Sequence, residues 1–351
     1  MTILTPKQQK ILAFFLKKET AKSSEVHAEI SKSGEPVSLV TIKRALSKLV
    51  DIGVLNTTGS GRSAGYTISN IGRIFADVDA RDYCSADPDK RYGLKKYNFT
   101  LLNSLTERIF SDIELSYLNS ATAEYKKRTT ELPQSIQKKE LERMIIELSW
   151  KSSKIEGNTY TLLDTEKLIL ENKEAEGHSK KEAQMILNHK DAFNYIHSNT
   201  DQFKTVTKNN LEDLHAILAK DLGVGLGLRE KPVGVVGSIY SPLDNIYQIT
   251  EAVESLGAAV SRMSTAYDKS LLALLGIGYI QPFEDGNKRT SRLMANAILL
   301  AYGLAPLSYR SVDENEYREA MLVFYELNSA MPFKNIFMSQ YDFAARNYSV
   351  K

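Results

Sequence analysis

A single cysteine, Cys84, stands among the 351 residues, which rules out an internal disulfide framework and points to a reducing compartment. No apolar run approaches the roughly 20 residues needed to cross a bilayer, and the start, MTILTPKQQKILAFF, lacks the basic end, long apolar stretch and small-residue cleavage site of a secretory signal. No charge of one sign prevails. The formal net charge of +2 excludes a uniformly basic nucleic-acid coat. The five histidines, His27, His178, His189, His197 and His215, have no paired spacing, and no Cys/His cluster exists, so a zinc cage is not expected. Each reads as a surface or packing residue, and His215, beside Leu211, Leu214 and Leu218, as the edge of a core. Internal repeats and low-complexity tracts are missing too. What remains is a cytoplasmic protein without a membrane segment, long enough for two or three domains with cores of their own.

The near-neutral total hides a local surplus. Residues 1–70 carry a net charge of +5 and the rest of the chain −3. In this segment Thr5 and Pro6 mark a helix start, Ser23 or Ser24 caps a second helix, and Ser38 opens a third. The third points Ile42, Leu46, Leu49 and Val50 inward and Lys43, Arg44, Ser47 and Lys48 outward, and Gly53 stops it. VLNTTGSGRSAGYTI then reads as two short strands around a glycine-rich loop bearing Arg62. The pattern resembles a winged helix-turn-helix domain with 38–51 as recognition helix. Lys43, Arg44, Lys48 and Arg62 are therefore candidate contacts to duplex DNA, the alternative being an ordinary solvated face.

Residues 71–135 include the polar passage CSADPDKRYGLKKYN, expected as an exposed linker followed by wrapping helices. A helical region at 136–200 and a helical core at 201–347 complete the expected layout. Turns are signalled at LPQS, EGNT and AEGH. One helix here is expected to end at Gly157, which puts Glu156 in its last turn. A carboxylate there faces the negative end of the helix and is destabilising by roughly 0.3–1 kcal/mol unless a cation accompanies it. Ser152, four residues earlier, shares its face.

The opposite anomaly lies in QPFEDGNKRTSR, residues 281–292. Asp285, Gly286 and Asn287 signal a helix start, and the apolar run from Leu293 reads as a buried helix. Lys288, Arg289 and Arg292 crowd that start, where the helix already carries partial positive charge. Three cations so placed call for an anion.

QPFEDGNKRTSR resembles the Fic family signature HxFx[DE]GNGRxxR, and SSKIEG at 152–157 resembles the family's inhibitory [ST]xxxE[GN] motif. The resemblance covers residues 95–347. It implies a mainly α fold, a helical Fic/Fido core with a small β-hairpin flap, joined to the N-terminal winged helix-turn-helix domain, a frequent companion in this family. It also implies binding of ATP with Mg2+ and transfer of AMP to a hydroxyl of a target protein, here unknown. On this resemblance Asp285 takes the magnesium position. Gly286, Asn287, Lys288 and Arg289 take the anion-binding turn, and Arg292 receives the γ-phosphate. Glu156, with Ser152, becomes the inhibitory anion that pairs with Arg292. The flap is expected at 229–250, where Val233, Val235, Val236, Ile239 and Tyr240 are strand-like and SPLDN is a turn. Phe283 reads as an aromatic anchor of the loop. Self-association is common in the family, so a homodimer is a further possible partner state.

Two residues depart from the signature. Gln281 stands at the position of the general-base histidine, and an amide cannot accept a proton near neutrality. Lys288 stands at the second glycine, and the resulting NKR resembles the Doc branch, whose chemistry is phosphate transfer; that branch has alanine where this chain has Gly286 and retains the histidine. Three readings stay open: an autoinhibited AMP transferase, a Doc-like phosphotransferase, and a non-catalytic ATP-responsive regulator that binds DNA.

Overall fold

The computed structural model describes residues 4–32, 37–59 and 64–350. The chain divides into two compact units: residues 1–106 with 235–241 and 319–333, and residues 107–234 with 242–318 and 334–351.

The first unit begins with α1 (Pro6–Lys17), whose start is a capping box. Thr5 Oγ1 accepts from the Gln8 backbone at 3.4 Å, and Gln8 Oε1 accepts from the Thr5 backbone at 2.9 Å. Next come α2 (Ser23–Lys32) and α3 (Leu39–Asp51), the latter capped by Ser38 Oγ at 3.2 Å from the Thr41 N–H. β1 (Leu55–Thr58) and β2 (Gly65–Ile68) pair antiparallel, with Leu55 opposite Ile68 and Thr58 opposite Gly65. Ile11, Leu12, Phe15, Val26, Ile30, Ile42, Leu46, Leu49 and Leu55 form one buried cluster, which leaves the face of α3 bearing Lys43, Arg44 and Lys48 in solvent. The expected helices and strand pair are all present. Arg62 and part of the SKSGEP turn lie outside the described residues.

The passage expected as an exposed linker is built differently. α4 (Asn70–Phe75), α5 (Ala80–Ser85) and α6 (Leu101–Ser104) belong to this unit, which continues to residue 106 rather than ending near 70. Gly72 sits so close to β1's approach that a Cβ would lie 2.1 Å from the Val54 carbonyl oxygen, so only glycine fits. Arg91, in the charged stretch, is buried against fully buried Glu326 at 3.1 Å, and Glu326 also accepts from Tyr83 Oη and Ser238 Oγ, each at 2.7 Å. Charge suggested solvent here because its partner lies far away in sequence. Burial pushes the Cys84 thiol up to about 11, so the lone cysteine is an inert thiol at neutral pH.

The second unit is helical: α7 (Asp112–Glu131), α8 (Gln134–Ile155), α9 (Leu162–Glu171), α10 (Lys180–Ser198), α11 (Lys208–Ala219), α12 (Ile246–Arg262), α13 (Ala266–Ile280) and α14 (Asn287–Ala301). Two later helices follow, α15 (Glu314–Leu327) and α16 (Met331–Asn347). α13 is buried at every position from Tyr267 to Ile280 and packs against α12 and α14. Gly276 permits the first contact, since a Cβ there would meet Leu256 Cδ1 at 2.3 Å. Polar groups within α13 are satisfied: Asp268 Oδ1 accepts the Ile109 and Phe110 N–H groups at 2.7 and 3.0 Å, and Lys269 Nζ donates to the Val260 and Ser261 carbonyls, both at 2.9 Å.

The β-hairpin flap expected at 229–250 is not formed among the described residues. Residues 229–245 are irregular apart from an isolated parallel bridge between Ser241 and Lys96, and Ile246 already begins α12. Pro232 and Pro242 lack the N–H that a ladder needs, and Gly234 and Gly237 weaken strand pairing, so the β-branched valines do not prevail. No helix is long and apolar enough to cross a membrane among the described residues.

Candidate active site

The site is built where α13 ends and α14 begins. Gln281 closes α13 in the left-handed conformation, φ 51°, with its backbone N–H on the Ile277 carbonyl at 3.0 Å. Its side-chain Nε2 donates to the Gly278 carbonyl at 2.5 Å, so the amide caps its own helix. The turn that follows is clipped by Asn287: the Phe283 N–H donates to Asn287 Oδ1, and Asn287 Nδ2 donates to the Phe283 carbonyl, both at 2.8 Å. Gly286 has φ 80°, a conformation a side chain strains.

Two residues from outside the motif hold this turn, and the linear sequence gave neither that role. His215 stacks on Phe283, centroids 3.8 Å apart and planes within 3°, and its Nε2 donates to the Asp285 carbonyl at 2.9 Å. Phe283 is fully buried, as an anchor should be. Arg229 is buried beneath the turn, with Nε on the Gln281 carbonyl at 2.7 Å, Nη1 on the Lys231 carbonyl at 2.8 Å, and Nη2 on the Leu243 carbonyl. Five-donor arginine suits a place where several carbonyls converge. Of these two, only the stacking neighbour left a trace in the sequence, as an apolar surround for His215.

Two cations meet one carboxylate, and a third cation pairs beside them with Asp285. Arg292 is fully buried; its Nη2 lies 2.8 Å from Glu156 Oε1, and it also donates through Nε to Ser152 Oγ at 2.8 Å and through Nη2 to the Ser152 carbonyl at 2.9 Å. Its guanidinium carbon stands 5.3 Å from the Tyr317 ring centroid. Lys288 Nζ is 3.7 Å from Glu156 Oε2, and Arg289 Nη2 is 3.2 Å from Asp285 Oδ2. Glu156 is the C-cap residue of α8, as its sequence position implied, and Arg318 Nε satisfies the neighbouring Ile155 carbonyl at 3.1 Å. The extra anion of one helix end is thus matched by the extra cations of another helix start.

The segment after Glu156 is pinned to α10. Thr159 donates to Glu182 Oε1 through its N–H at 2.9 Å and its hydroxyl at 2.6 Å, and Asn158 Nδ2 donates to the Glu182 carbonyl at 3.0 Å. The Thr159 hydroxyl, then the Ser179 and Thr159 backbone, bring Glu182 down to about 2. Burial would raise Glu156, but Arg292 and Lys288 outweigh it and hold the carboxyl below its ordinary range. Burial likewise opposes charge on Arg292, yet Tyr317 and Glu156 keep it above its ordinary value. His189 is buried, and burial together with Arg292 and Arg289 holds it well below the ordinary imidazole value, so it is neutral.

These features suit an anion. α14 has no acidic residue in its first turn, and among the described residues its N–H groups have no side-chain cap and the buried Nη1 atoms of Arg289 and Arg292 have no hydrogen-bond partner. No group of three or more His, Cys, Asp or Glu side chains that could hold a metal ion occurs among the described residues. The Asp285 side chain is 68% exposed. Lys43, Arg44 and Lys48 lie in the other unit.

Fold and site together define a helical domain organised around a turn lined by cations. Residues 205–299 match the model of the Fic/DOC family. Among curated proteins, the chain is 30% identical over 173 residues to a protein adenylyltransferase Fic of Nematostella vectensis, covering 48% of this chain and 40% of that one. It is 28% identical over 166 residues to that of Drosophila yakuba, 46% of this chain and 34% of the relative. The chain thus spans less than half the length of the curated relatives it matches. Two solved structures share the fold: Fic-1 (aa134 - 508) from C. elegans, TM-score 0.56 at 17% identity over 67% of this chain and 71% of that one, and a Fic domain containing signaling protein from Bacteroides thetaiotaomicron, TM-score 0.55 at 22% identity over 66% and 94%. Residues 205–299 are thus a Fic/DOC family domain.

Proposed function

We propose that the chain is a Fic-type AMP transferase whose nucleotide site is held shut by its own Glu156. The observation that carries this reading is the contact of Glu156 Oε1 with Arg292 Nη2 at 2.8 Å, one carboxylate on a buried cation beside an uncapped helix start. A polyphosphate offers the same charge with more oxygens, so ATP and Glu156 compete for Arg292. In the reaction, a target hydroxyl oxygen attacks the α-phosphorus, its bond to the β-phosphate bridge breaks, pyrophosphate leaves, and the hydroxyl proton passes to an acceptor. Mg2+ binds one or two carboxylates together with phosphate oxygens and waters. The exposed Asp285 carboxylate fits that demand, and the ion would supply charge neutralisation to the phosphates.

One observation favours a second reading. The Gln281 amide is turned onto Gly278 and has no proton-accepting capacity at neutral pH, so the site has a nucleotide seat without its base. An ATP-responsive regulator fits that arrangement. Label transfer decides: α-labelled and γ-labelled ATP are incubated with Glu156→Gly, with and without Gln281→His. α-label on protein in both variants supports the transferase. α-label only with the histidine supports the regulator, and γ-label alone points to Doc-like phosphate transfer.

For the N-terminal module we infer a winged-helix duplex-DNA contact, because no carboxylate pairs with Lys43, Arg44 or Lys48 among the described residues, whereas Glu25 and Glu29 of α2 are paired with Lys18 and Lys32. Salt-sensitive retention on duplex DNA tests this reading.

A further inference from the structure

α3 exposes more than charge. Leu39 and Val40, in its first turn, are 37% and 58% exposed and are not among the residues packed on the core cluster. Val40, Lys43, Arg44 and Ser47 fall on one face at helical spacing, and all are exposed. That face spans about 10 Å at 1.5 Å per residue, close to the length of three base-pair steps at about 3.4 Å. An apolar start followed at once by cations is a poor match for a partner's hydrophobic groove, which asks for apolar residues at every turn of the helix. It is also too short an apolar surface to hold a membrane. It matches a DNA major groove, where the one apolar group on any base edge is the C5-methyl of thymine and the walls are phosphate.

Resting on the DNA-contact reading of this module, we propose that Leu39 and Val40 read thymine methyl groups while Lys43, Arg44 and Lys48 hold the flanking phosphates. The side chains divide the work by chemistry. Aliphatic carbons at the start of the helix gain only where a methyl is present, so they carry sequence preference. The ammonium and guanidinium groups act on any duplex and carry affinity and salt dependence. The preferred site therefore contains thymine at the positions facing the first turn of α3.

The test uses the full chain and duplexes enriched by it from a randomised library at low salt. Each enriched thymine is then replaced by uracil, which removes the C5-methyl and leaves the hydrogen-bonding pattern intact. Binding is expected to weaken by about fourfold per methyl removed, the fold-change of one buried carbon. With Val40→Ala the thymine and uracil duplexes should bind alike at the position it faces. Lys43→Ala should weaken every duplex similarly and lower the salt slope by about one. Both side chains are exposed, so the variants are expected to fold, which a thermal melt checks. Equal binding of thymine and uracil duplexes at every enriched position overturns the methyl readout and leaves the DNA contact standing. Absence of salt-sensitive binding to any duplex overturns both. Neither result touches AMP transfer, which is read by label on protein.

Discussion

Glu156 reaches Arg292 from the end of α8, Oε1 to Nη2 at 2.8 Å, and Ser152 on the preceding turn holds the same guanidinium by its hydroxyl and its carbonyl. Glycine at 156 removes the carboxylate and leaves Ser152 in place. ATP binding to Glu156→Gly, measured by titration calorimetry, should tighten by about tenfold or more, which requires only about 1.4 kcal/mol of lost competition. The ligand-free variant should also melt lower, because a buried arginine is left with less countercharge, and added ATP should restore it. Unchanged affinity would separate Glu156 from nucleotide binding.

Glu182 gives the site its pH signature. Its folded-state value of about 2 lies below the ordinary carboxylate value of roughly 4.3. The Thr159 clamp therefore contributes stability that is fully present above about pH 4.3 and is lost as pH falls towards 2. Glu182→Gln removes that dependence. The difference in melting temperature between the native chain and this variant should hold steady above pH 5 and shrink below it. Nucleotide affinity in the variant should rise near neutral pH, since the segment that carries Glu156 is less firmly held.

Much of this site was legible in linear sequence because its anomalies are local. Glu156 precedes a glycine that ends a helix, and three cations follow Gly286 where a helix begins; each breaks the rule of helix-end charge within a single turn. His215 and Arg229 hold the same turn from 70 and 52 residues away; the leucines around His215 signal burial but not its partner, and the neighbours of Arg229 signal neither. The helices of the first unit were legible from Thr5, Ser38 and the apolar spacing of α3. The flap was misread because Val233, Val235 and Val236 favour strand while Pro232, Gly234, Gly237 and Pro242 oppose pairing, and alternation alone does not weigh the two.

Gly286→Ala tests the turn itself. Its φ of 80° costs an ordinary residue about 1–2 kcal/mol, and the added Cβ would stand 3.4 Å from Arg289 Nη2 and 3.6 Å from the His215 ring. A modest fall in melting temperature is expected, with a larger loss of ATP affinity, because the helix-start N–H groups and Arg289 shift together. Equal losses in both would mean that the residue serves folding alone.

Gln281→His addresses the chemistry. The substitution removes the amide's bond to the Gly278 carbonyl and supplies a group that accepts a proton near neutrality. In the Glu156→Gly background, AMP transfer from α-labelled ATP should rise by about 10²–10⁴-fold, the usual contribution of a positioned base. ATP affinity should change little, since Gln281 makes none of the contacts to Arg289 or Arg292.

The first unit offers a test independent of any nucleotide. Glu326 is wholly buried and its carboxylate has four partners: Arg91 Nη1 at 3.1 Å, Tyr83 Oη and Ser238 Oγ at 2.7 Å, and the Ile239 N–H at 3.3 Å. Replacing Arg91 with methionine keeps most of the side-chain volume but leaves that carboxylate without its cation. Breaking a buried pair from one side costs about 3–5 kcal/mol, more than the three remaining hydrogen bonds return. Arg91→Met combined with Glu326→Gln removes both charges: the amide oxygen can still accept from Ser238 and the Ile239 N–H, and the amide nitrogen can donate to the Tyr83 hydroxyl. Chemical denaturation should therefore find the double variant more stable than Arg91→Met alone. If the two melt alike, the arginine's role there is packing, and the charged passage around it folds without help from Glu326.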